Sequence, residues 1–380
     1  MFIEIHTIQN FAPSNLNRDD TGSPKDCEFG GHRRARVSSQ CWKRAAREYF
    51  SQGGLLPEAQ LAVRTKKLVS KLSELLIGLD NKRTQEEATI VGAAAVEVLG
   101  VSFDAKSKEE KKTSVLLFLG NDQIERLAAL CNEYWDRLLS ESTKKKGSLP
   151  KDLISRLKGS LKGSRAVDLA LFGRMIAEDP AQNVDAACQV AHALSTHRVA
   201  PEFDYYTAVD DLGSDDETGA GMLGTQEFNS ACFYRYANID LKQLDHNLQG
   251  DKELALSGTR AFLESFIMAI PKAKQNSTAA QSLPSFVMLV VRDKGLASLA
   301  NAFARPVDGR NKGLMVNSVE ALAHYWGKLM EMYGSNGITS ALYATIEDAG
   351  LDALNSNAAQ KRDNVKDLLD RTMSVLGGGK

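Results

Sequence analysis

The strongest constraint on the fold is one long helical stretch that separates two regions of strand-like sequence. From Glu58 to Ala200, apolar residues recur with the spacing of amphipathic helices, as in AQLAVRTKKLVSKLSELLIGL and NDQIERLAALCNEYWDRLLSE. The sequence before this stretch predicts a strand, a loop and a helix. The sequence after it predicts two strands, a helix and a strand. With the helical stretch set aside, this order is the split βαβ arrangement of a ferredoxin-like fold, the sheet that RNA-recognition modules use.

The predicted elements on either side of the helical stretch have recognisable signals. FIEIHTIQNF predicts the first strand, and a loop rich in Asn, Asp, Gly and Pro follows through about Gly31. VSSQCWKRAAREYF predicts a helix with Ser38 or Ser39 as its N-cap. After the helical stretch, DKELALSGTRAFLESFIMAIPKA predicts a helix stopped by Pro271, and the apolar run PSFVMLVVRD predicts a buried strand.

A polar, glycine-rich segment, GSDDETGAGMLGTQ, lies between two aromatic strand-like segments and predicts the tip of a long hairpin. Its acidic group could suggest a magnesium site, but we interpret it as the soluble flank of the hairpin, or as a group that repels nucleic acid from the wrong path. The acids are Asp210, Asp211, Asp215, Asp216 and Glu217.

A local block of positive charge is the strongest functional signal, because the chain as a whole has a formal net charge of −1. No acid lies between Glu28 and Glu48, whereas the same interval holds Arg33, Arg34, Arg36, Lys43, Arg44 and Arg47. Helical spacing puts Lys43 and Arg47 on one face, and the free N–H groups at the helix start beside Ser38, Ser39 and Gln40 favour a phosphate. The block therefore suits a phosphodiester backbone. The alternative is an ordinary solvated basic helix.

Two further segments carry weaker basic signals. KKKGSLPKDLISRLKGSLKGSR, from Lys144 to Arg165, has eight basic residues and one acid, and it is either a nucleic-acid contact or a solubilising segment. PKAKQNSTAAQSLPSFV places Lys274, Gln275 and their neighbours in a loop before the last predicted strand. Such a loop suits sugar–phosphate contacts, although it is also an ordinary helix–strand connection.

The sequence does not indicate an enzyme, a metal site or a cofactor. The histidines His6, His32, His192 and His197 form no HExxH motif, and five scattered cysteines form no CxxC motif. The N-terminus does not have the pattern of a signal peptide, and no run approaches the ~20 apolar residues of a membrane span. We therefore expect a soluble, cytoplasmic protein with no membrane partner.

Several long motifs together resemble one family. NLNRDDTGSPKDCEFGGHRRARVSSQCWKRAAR, VDLALFGRM, DYYTAVDDL, LGTQEFNSACFYRYANIDL and PKAKQNSTAA are similar to the CasC backbone subunit (the Cas-seven family) of type I-E CRISPR Cascade. The motifs occur in the family's order from the first strand to about Tyr333. The helical block between Glu58 and Leu161 and the C-terminal tail resemble the family least.

The resemblance implies an α+β chain with an RNA-recognition-like (ferredoxin-like) palm, a long β-hairpin thumb and a large inserted helical finger domain. The implied divisions are residues 1–57 and 229–300 for the palm, 58–200 for the finger, 201–228 for the thumb and 301–380 for a C-terminal region. It also implies a non-catalytic subunit that assembles head to tail on crRNA with other Cascade subunits and presents the guide to target DNA.

The resemblance also implies roles for individual residues. The family's first RNA-contacting loop and helix correspond to Asn17, Arg18, Lys25, His32, Arg33, Arg34, Ser38, Gln40, Lys43, Arg44 and Arg47. His32 departs from the expected lysine. The second RNA-facing loop corresponds to Lys274 and Gln275, and the wedge that displaces a base to Met175 and Thr207. The finger region that can touch target DNA corresponds to Lys144, Lys145, Lys146 and Lys151.

Two alternatives to this function remain. One is a metal-independent CRISPR repeat endoribonuclease of related fold, in which His6 or His32 near Ser38 is the general base. The other is a generic nucleic-acid-binding scaffold that carries no guide.

Overall fold

The computed structural model of the protein describes residues 1–107, 110–141, 149–177, 179–208, 222–335, 337–348 and 350–378. Its strands are β1 (Phe2–Ser14), β2 (Asp26–Phe29), β3 (His32–Val37), β4 (Ala62–Thr65), β5 (Leu117–Gly120), β6 (Cys188–Val190), β7 (Ala193–Ser195), β8 (Glu202–Ala208), β9 (Met222–Asp240), β10 (Phe286–Arg292), β11 (Ile338–Thr345) and β12 (Ala359–Lys361). Its helices are α1 (Ser39–Gln52), α2 (Leu68–Leu79), α3 (Gln85–Val98), α4 (Asn121–Glu133), α5 (Trp135–Glu141), α6 (Lys151–Gly159), α7 (Val167–Phe172), α8 (Leu241–Asn247), α9 (Lys252–Met268), α10 (Gln275–Thr278), α11 (Leu314–Tyr333), α12 (Asp352–Asn355) and α13 (Val365–Leu376).

The chain forms two compact units. One, which we call the palm unit, consists of Met1–Gly53, Gln189–Ile239 and Thr259–Lys380. The other, which we call the insertion unit, consists of Gly54–Cys188 and Asp240–Gly258. Within the stretch 58–200, which was predicted to be helical, the chain from Cys188 to Ser195 forms the short strands β6 and β7. Periodicity alone cannot distinguish such short apolar runs from a helix.

The palm unit contains the predicted ferredoxin-like sheet. Its strand order is β12-β11-β10-β1-β9-β7-β3-β2. The middle four strands are β10, β1, β9 and β7, which come fourth, first, third and second among these four in the chain. Helix α1 follows β1 and helix α9 follows β9. This is the split βαβ arrangement. β1 pairs antiparallel with β10 from Phe2↔Arg292 to Ile8↔Phe286. The α+β prediction is confirmed, and the sheet is extended by two strands at each edge.

Both faces of this sheet are covered. On one face, Trp42 of α1 packs with Phe11, Val37 and Phe233. On the other face, a second buried cluster includes Tyr234, Phe286 and Trp326 of α11. The sheet has two apolar faces because successive side chains along a strand point to opposite sides. Because α11 occupies the second face, bases cannot stack on the sheet itself as they do in RNA-recognition modules.

The long hairpin predicted for the thumb is formed by β8 and the first part of β9. The two strands pair antiparallel from Glu202↔Phe228 to Ala208↔Met222. Its predicted acidic tip, with Asp210, Asp211, Asp215, Asp216 and Glu217, lies outside the described residues.

The insertion unit is helical around one apolar core, which includes Leu72, Val91, Leu127 and Leu157. It also contains a feature that the sequence did not predict, the antiparallel pair of β4 and β5. β4 falls inside the segment AQLAVRTKKLVSKLSELLIGL, which was predicted as one helix. Its pairing partner is more than 50 residues away in the chain, so local spacing carried no sign of it.

Candidate nucleic-acid interface

The first part of the basic block forms a hairpin rather than the predicted loop. β2 and β3 pair from Asp26↔Ala35 to Phe29↔His32, and Gly30 and Gly31 make the turn with φ values of +61° and +74°. Two-residue hairpin turns favour residues that adopt positive φ, as glycine does. The hairpin leaves His32 and Arg33 exposed at its end, and Arg33 forms an ion pair with Asp26.

Arg34 differs from the other predicted RNA contacts in being fully buried. Its side chain is 0% exposed, and its guanidinium donates to the carbonyl oxygens of Thr196 at 3.0 Å and Phe303 at 2.8 Å. Further bonds reach Phe29, Ser195 and Ala304. Successive strand residues point to opposite faces, so Arg33 faces solvent whereas Arg34 enters the core. Arg34 therefore supports the fold, because its guanidinium is directed at protein carbonyl groups rather than at solvent.

Asn17 connects the long loop to the start of α1. Its side-chain Oδ1 accepts the backbone N–H of Ser38 at 2.8 Å, and its carbonyl accepts the N–H of Lys25 at 2.9 Å. The Ser38 hydroxyl in turn accepts the N–H of Cys41, so Ser38, one of the two predicted candidates, is the N-cap. These bonds fix the loop against the helix that carries most of the basic residues. Arg18 lies exposed in the same loop.

Helix α1 presents the basic face. Its apolar side, Trp42, Ala45, Ala46 and Phe50, is buried, which turns the opposite side toward solvent. Gln40 is exposed and Lys43 and Arg47 are half-buried. Arg44 has 80% of its side chain exposed and donates to the Glu48 carboxylate at 2.7 Å. The basic side of the helix therefore also includes an acid at its far end.

The second predicted loop lies against the same helix. Lys272 Nζ is 3.0 Å from the Glu48 carboxylate, so Glu48 joins α1 to this loop. Gln275 braces the loop, because its Nε2 donates to the carbonyl of Pro271 at 2.9 Å. Lys274 adopts a left-handed conformation with φ +55°, and its Nζ is 3.4 Å from Gln226 Oε1 of β9. The structure thus brings the two predicted RNA-contacting segments together.

His192 belongs to this surface and was not among the predicted contacts. Its Nδ1 is 3.1 Å from the backbone N of Ser39 and 3.4 Å from Arg36 Nη1. Since 153 residues separate His192 from Ser39 in the chain, no local pattern could have indicated the pairing. Partial burial lowers the pKa of His192, and the positive charges of Arg36 and Lys25 lower it further.

In the insertion unit, Met175 has an exposed side chain on a backbone segment whose neighbouring residues are held by hydrogen bonds. Its side chain is 83% exposed, whereas its neighbour Arg174 is buried and donates to Gln182 O and to Gln123 Oε1. Burial lowers the pKa of Arg174 to about 10. On the other side of Met175, the Ile176 N–H donates to a side chain. An exposed apolar side chain on a fixed backbone suits a wedge.

Thr207, the second predicted wedge residue, lies exposed on β8 of the palm unit, opposite Leu223 in the hairpin. Phe203 and Tyr205 alternate with it along the strand and are also exposed. This strand face therefore offers aromatic surface on which bases can stack.

Of the predicted target-DNA contacts, only Lys151 lies within the described residues. It is exposed at the first position of α6. Lys144, Lys145 and Lys146 lie outside the described part of the chain. Later basic residues of the same run form ion pairs: Arg156 with Glu133, Lys158 with Asp179 and Arg165 with Asp251.

The histidines proposed as general bases are poorly placed for that role. His6 is 0% exposed; burial, followed by the charge of Arg292, lowers its pKa to about 3, and its Nδ1 is 2.8 Å from the Tyr234 hydroxyl. His32 and Ser38 are six strand steps apart, or about 20 Å at ~3.3 Å per step. Within the described residues, no three His, Cys, Asp or Glu side chains are grouped as metal ligands. Among the described helices, none is long and apolar enough to cross a membrane.

Comparison with known proteins places the chain in a family. The model of a family described as CT1975-like protein matches residues 3–371. A solved chain titled "CRISPR RNA-guided surveillance complex, pre-nicking" is 35% identical, with a TM-score of 0.87 over 99% of this chain and 100% of that chain. Another, titled "CRISPR RNA-guided surveillance complex", is 31% identical, with a TM-score of 0.76 over the same shares. No curated protein matches the chain.

These matches extend over almost the whole chain, including the sheet, the hairpin and the insertion unit. They agree with the resemblance to the Cas-seven family that the sequence motifs indicated. The chain therefore belongs to the CT1975-like protein family and is a Cas-seven-type backbone subunit.

Proposed function

We propose that the protein is a non-catalytic crRNA-binding subunit whose α1 and adjoining loops hold the guide by its phosphates. The observation that carries this proposal is the joined surface of the palm unit, in which Glu48 links Arg44 of α1 to Lys272 of the second loop. Asn17 fixes the first loop to the same helix. The two solved relatives belong to CRISPR RNA-guided surveillance complexes, which supports RNA as the ligand.

The chemistry of this surface suits a grip that does not depend on sequence. Arginine, lysine and backbone amides bind phosphates, whereas recognition of the target is left to pairing between guide and target. Because α11 covers one face of the sheet and α1 packs on the other, the loops and helix rather than the sheet are the available contact surface.

We further propose that copies assemble head to tail along the spacer of the guide, with other Cascade subunits, in a type I-E complex of antiviral defence. Met175 and Thr207 would displace guide bases at intervals. Target DNA would then be reached through guide pairing, with Lys151 at its periphery. The exposure of Met175 and of the Thr207 strand face supports this role.

Binding and assembly can be tested together on the purified protein. We expect single-stranded RNA of spacer length to drive assembly into particles whose mass grows with RNA length, as measured by mass photometry. The logarithm of the RNA affinity should fall with the logarithm of the salt concentration, at a slope of about −0.7 for each phosphate that the protein neutralises. Equal assembly on duplex DNA, or no assembly on RNA, would contradict the proposal.

The endoribonuclease alternative has its own test. Purified protein is incubated with repeat RNA in EDTA, and the products are compared with those of His6→Ala and His32→Ala. We expect intact RNA in every case, because His6 is buried and His32 is about 20 Å from Ser38. Specific cleavage that either substitution abolishes would establish an enzyme instead.

A further inference from the structure

His192 occupies the point where three basic or amide-bearing segments of the RNA-binding surface meet. Its Nδ1 lies within hydrogen-bonding distance of the Ser39 N–H, at the first residue of α1. Arg36 approaches the same nitrogen from β3. Lys25 acts on the ring from the loop before β2. The imidazole is exposed, so a ligand that reaches these segments also reaches the ring.

The hydrogen bond defines the protonation state of His192 in the free protein. A backbone N–H can only donate, so Nδ1 must accept and carries no proton. The ring is therefore neutral with its hydrogen on Nε2. The charged side chains that act on the ring, Arg36 and Lys25, are both cations, and like charges favour this neutral form.

We propose that His192 takes up a proton when RNA binds, an inference that rests on the proposed function. A phosphodiester at this surface counters the charges of Arg36 and Lys25 and supplies an anion for an imidazolium. The proton comes from solvent and goes to Nδ1, because Nε2 already holds one. Nδ1 then no longer accepts from Ser39, and the freed N–H at the helix start donates to the phosphate.

This exchange makes RNA affinity depend on pH in a defined direction. The pKa of His192 is lowered in the free protein and is higher in the complex. Between the two pKa values, the association constant for RNA rises as pH falls. The total rise is about tenfold for each pH unit by which the two pKa values differ. Above the pKa of the complex, His192 is neutral in both states and its contribution to the pH dependence disappears.

Isothermal titration calorimetry tests the inference directly. Single-stranded RNA of spacer length is titrated into the full-length protein near pH 6.5, in buffers that differ in ionisation enthalpy, which yields the protons taken up on binding. His192→Gln is the key variant, because its side-chain amide oxygen can still accept a hydrogen bond but does not titrate. His324→Gln is the matched control, since His324 is an exposed histidine of α11 in the same unit and is not among the predicted RNA contacts.

We expect an uptake of up to about one proton per bound protomer in the wild type that His192→Gln removes. The uptake should persist in His324→Gln. His192→Asn is a second variant in case the first folds poorly. Undiminished proton uptake in either folded variant would overturn the inference. A wild-type protein that binds no RNA would instead contradict the proposed function.

Discussion

The Glu48 carboxylate lies between two cations from separate segments, 2.7 Å from Arg44 Nε within α1 and 3.0 Å from Lys272 Nζ on the second loop. Glu48 thus connects α1 to the second loop. The same carboxylate also neutralises Arg44 and Lys272, two cations on the proposed RNA-binding surface. Ion pairs that are this exposed contribute only ~0–1 kcal/mol to stability, so a phosphate can displace the carboxylate at little cost.

Replacing Glu48 with glutamine should therefore strengthen RNA binding. We expect Glu48→Gln to raise affinity for single-stranded RNA about two- to fivefold at low salt, because one competing negative charge is removed while an amide can still bridge the segments. Fluorescence anisotropy over a salt series measures the change. Glu331→Gln, at an exposed acid of α11, is the matched control. Weaker binding by Glu48→Gln alone would show that bridging matters more than competition.

Removing two basic side chains of α1 should weaken RNA binding without unfolding the protein. Lys43→Ala with Arg44→Ala should reduce RNA-dependent oligomerisation and make the salt slope shallower by about 0.7 for each lost phosphate contact. The buried side of α1 is untouched, so the thermal melt should stay close to that of the wild type. A large fall in the melting temperature of the double variant would mean that this side of α1 is part of the core.

Neighbouring arginines in β3 should behave in opposite ways. Arg34→Met should lower the free energy of unfolding by about 3 kcal/mol or more, since it leaves several buried carbonyl groups without a donor. Arg33→Met should change stability by no more than about 0.5 kcal/mol, because Arg33 is exposed. Urea denaturation compares the two. Similar losses in both variants would contradict the assignment of Arg34 to the fold.

Met175 should matter for target pairing rather than for guide binding. Met175→Ala should leave the melt and RNA affinity nearly unchanged, because the side chain is 83% exposed, while the rate of target-strand pairing falls severalfold in a strand-exchange assay. Met332→Ala, at another exposed methionine, should alter neither property. Equal loss of guide binding and target pairing in Met175→Ala would argue against a base-displacing wedge.

The sequence predicted those features of the fold that have local signals. Ser38 caps α1 as expected from its position before a helical run, and the apolar segment from Phe286 to Arg292 is buried throughout. The order of strands and helices also predicted the ferredoxin-like sheet. The β2–β3 hairpin was missed, although Gly30 and Gly31 are a good two-residue turn, because basic residues mask the alternation along β3.

Other features depend on contacts between residues far apart in the chain. The sequence grouped Arg34 with its basic neighbours, and only the pairing of β3 within the sheet shows that it points inward. His192 approaches Ser39 across 153 residues, and Glu48 meets Lys272 through tertiary packing. Composition and spacing located the basic block, whereas its internal division into buried and solvent-exposed residues required the structure.

The nucleic acid that the assembled protein carries is the most direct test of crRNA binding. The protein is co-expressed with a CRISPR array and its neighbouring genes, purified by size exclusion, and the bound nucleic acid is extracted and sequenced. A subunit that holds crRNA should carry RNA of one discrete length that contains spacer sequence, and this RNA should be largely lost from the Lys43→Ala, Arg44→Ala double variant. Random fragments, or an assembly without RNA, would contradict crRNA binding.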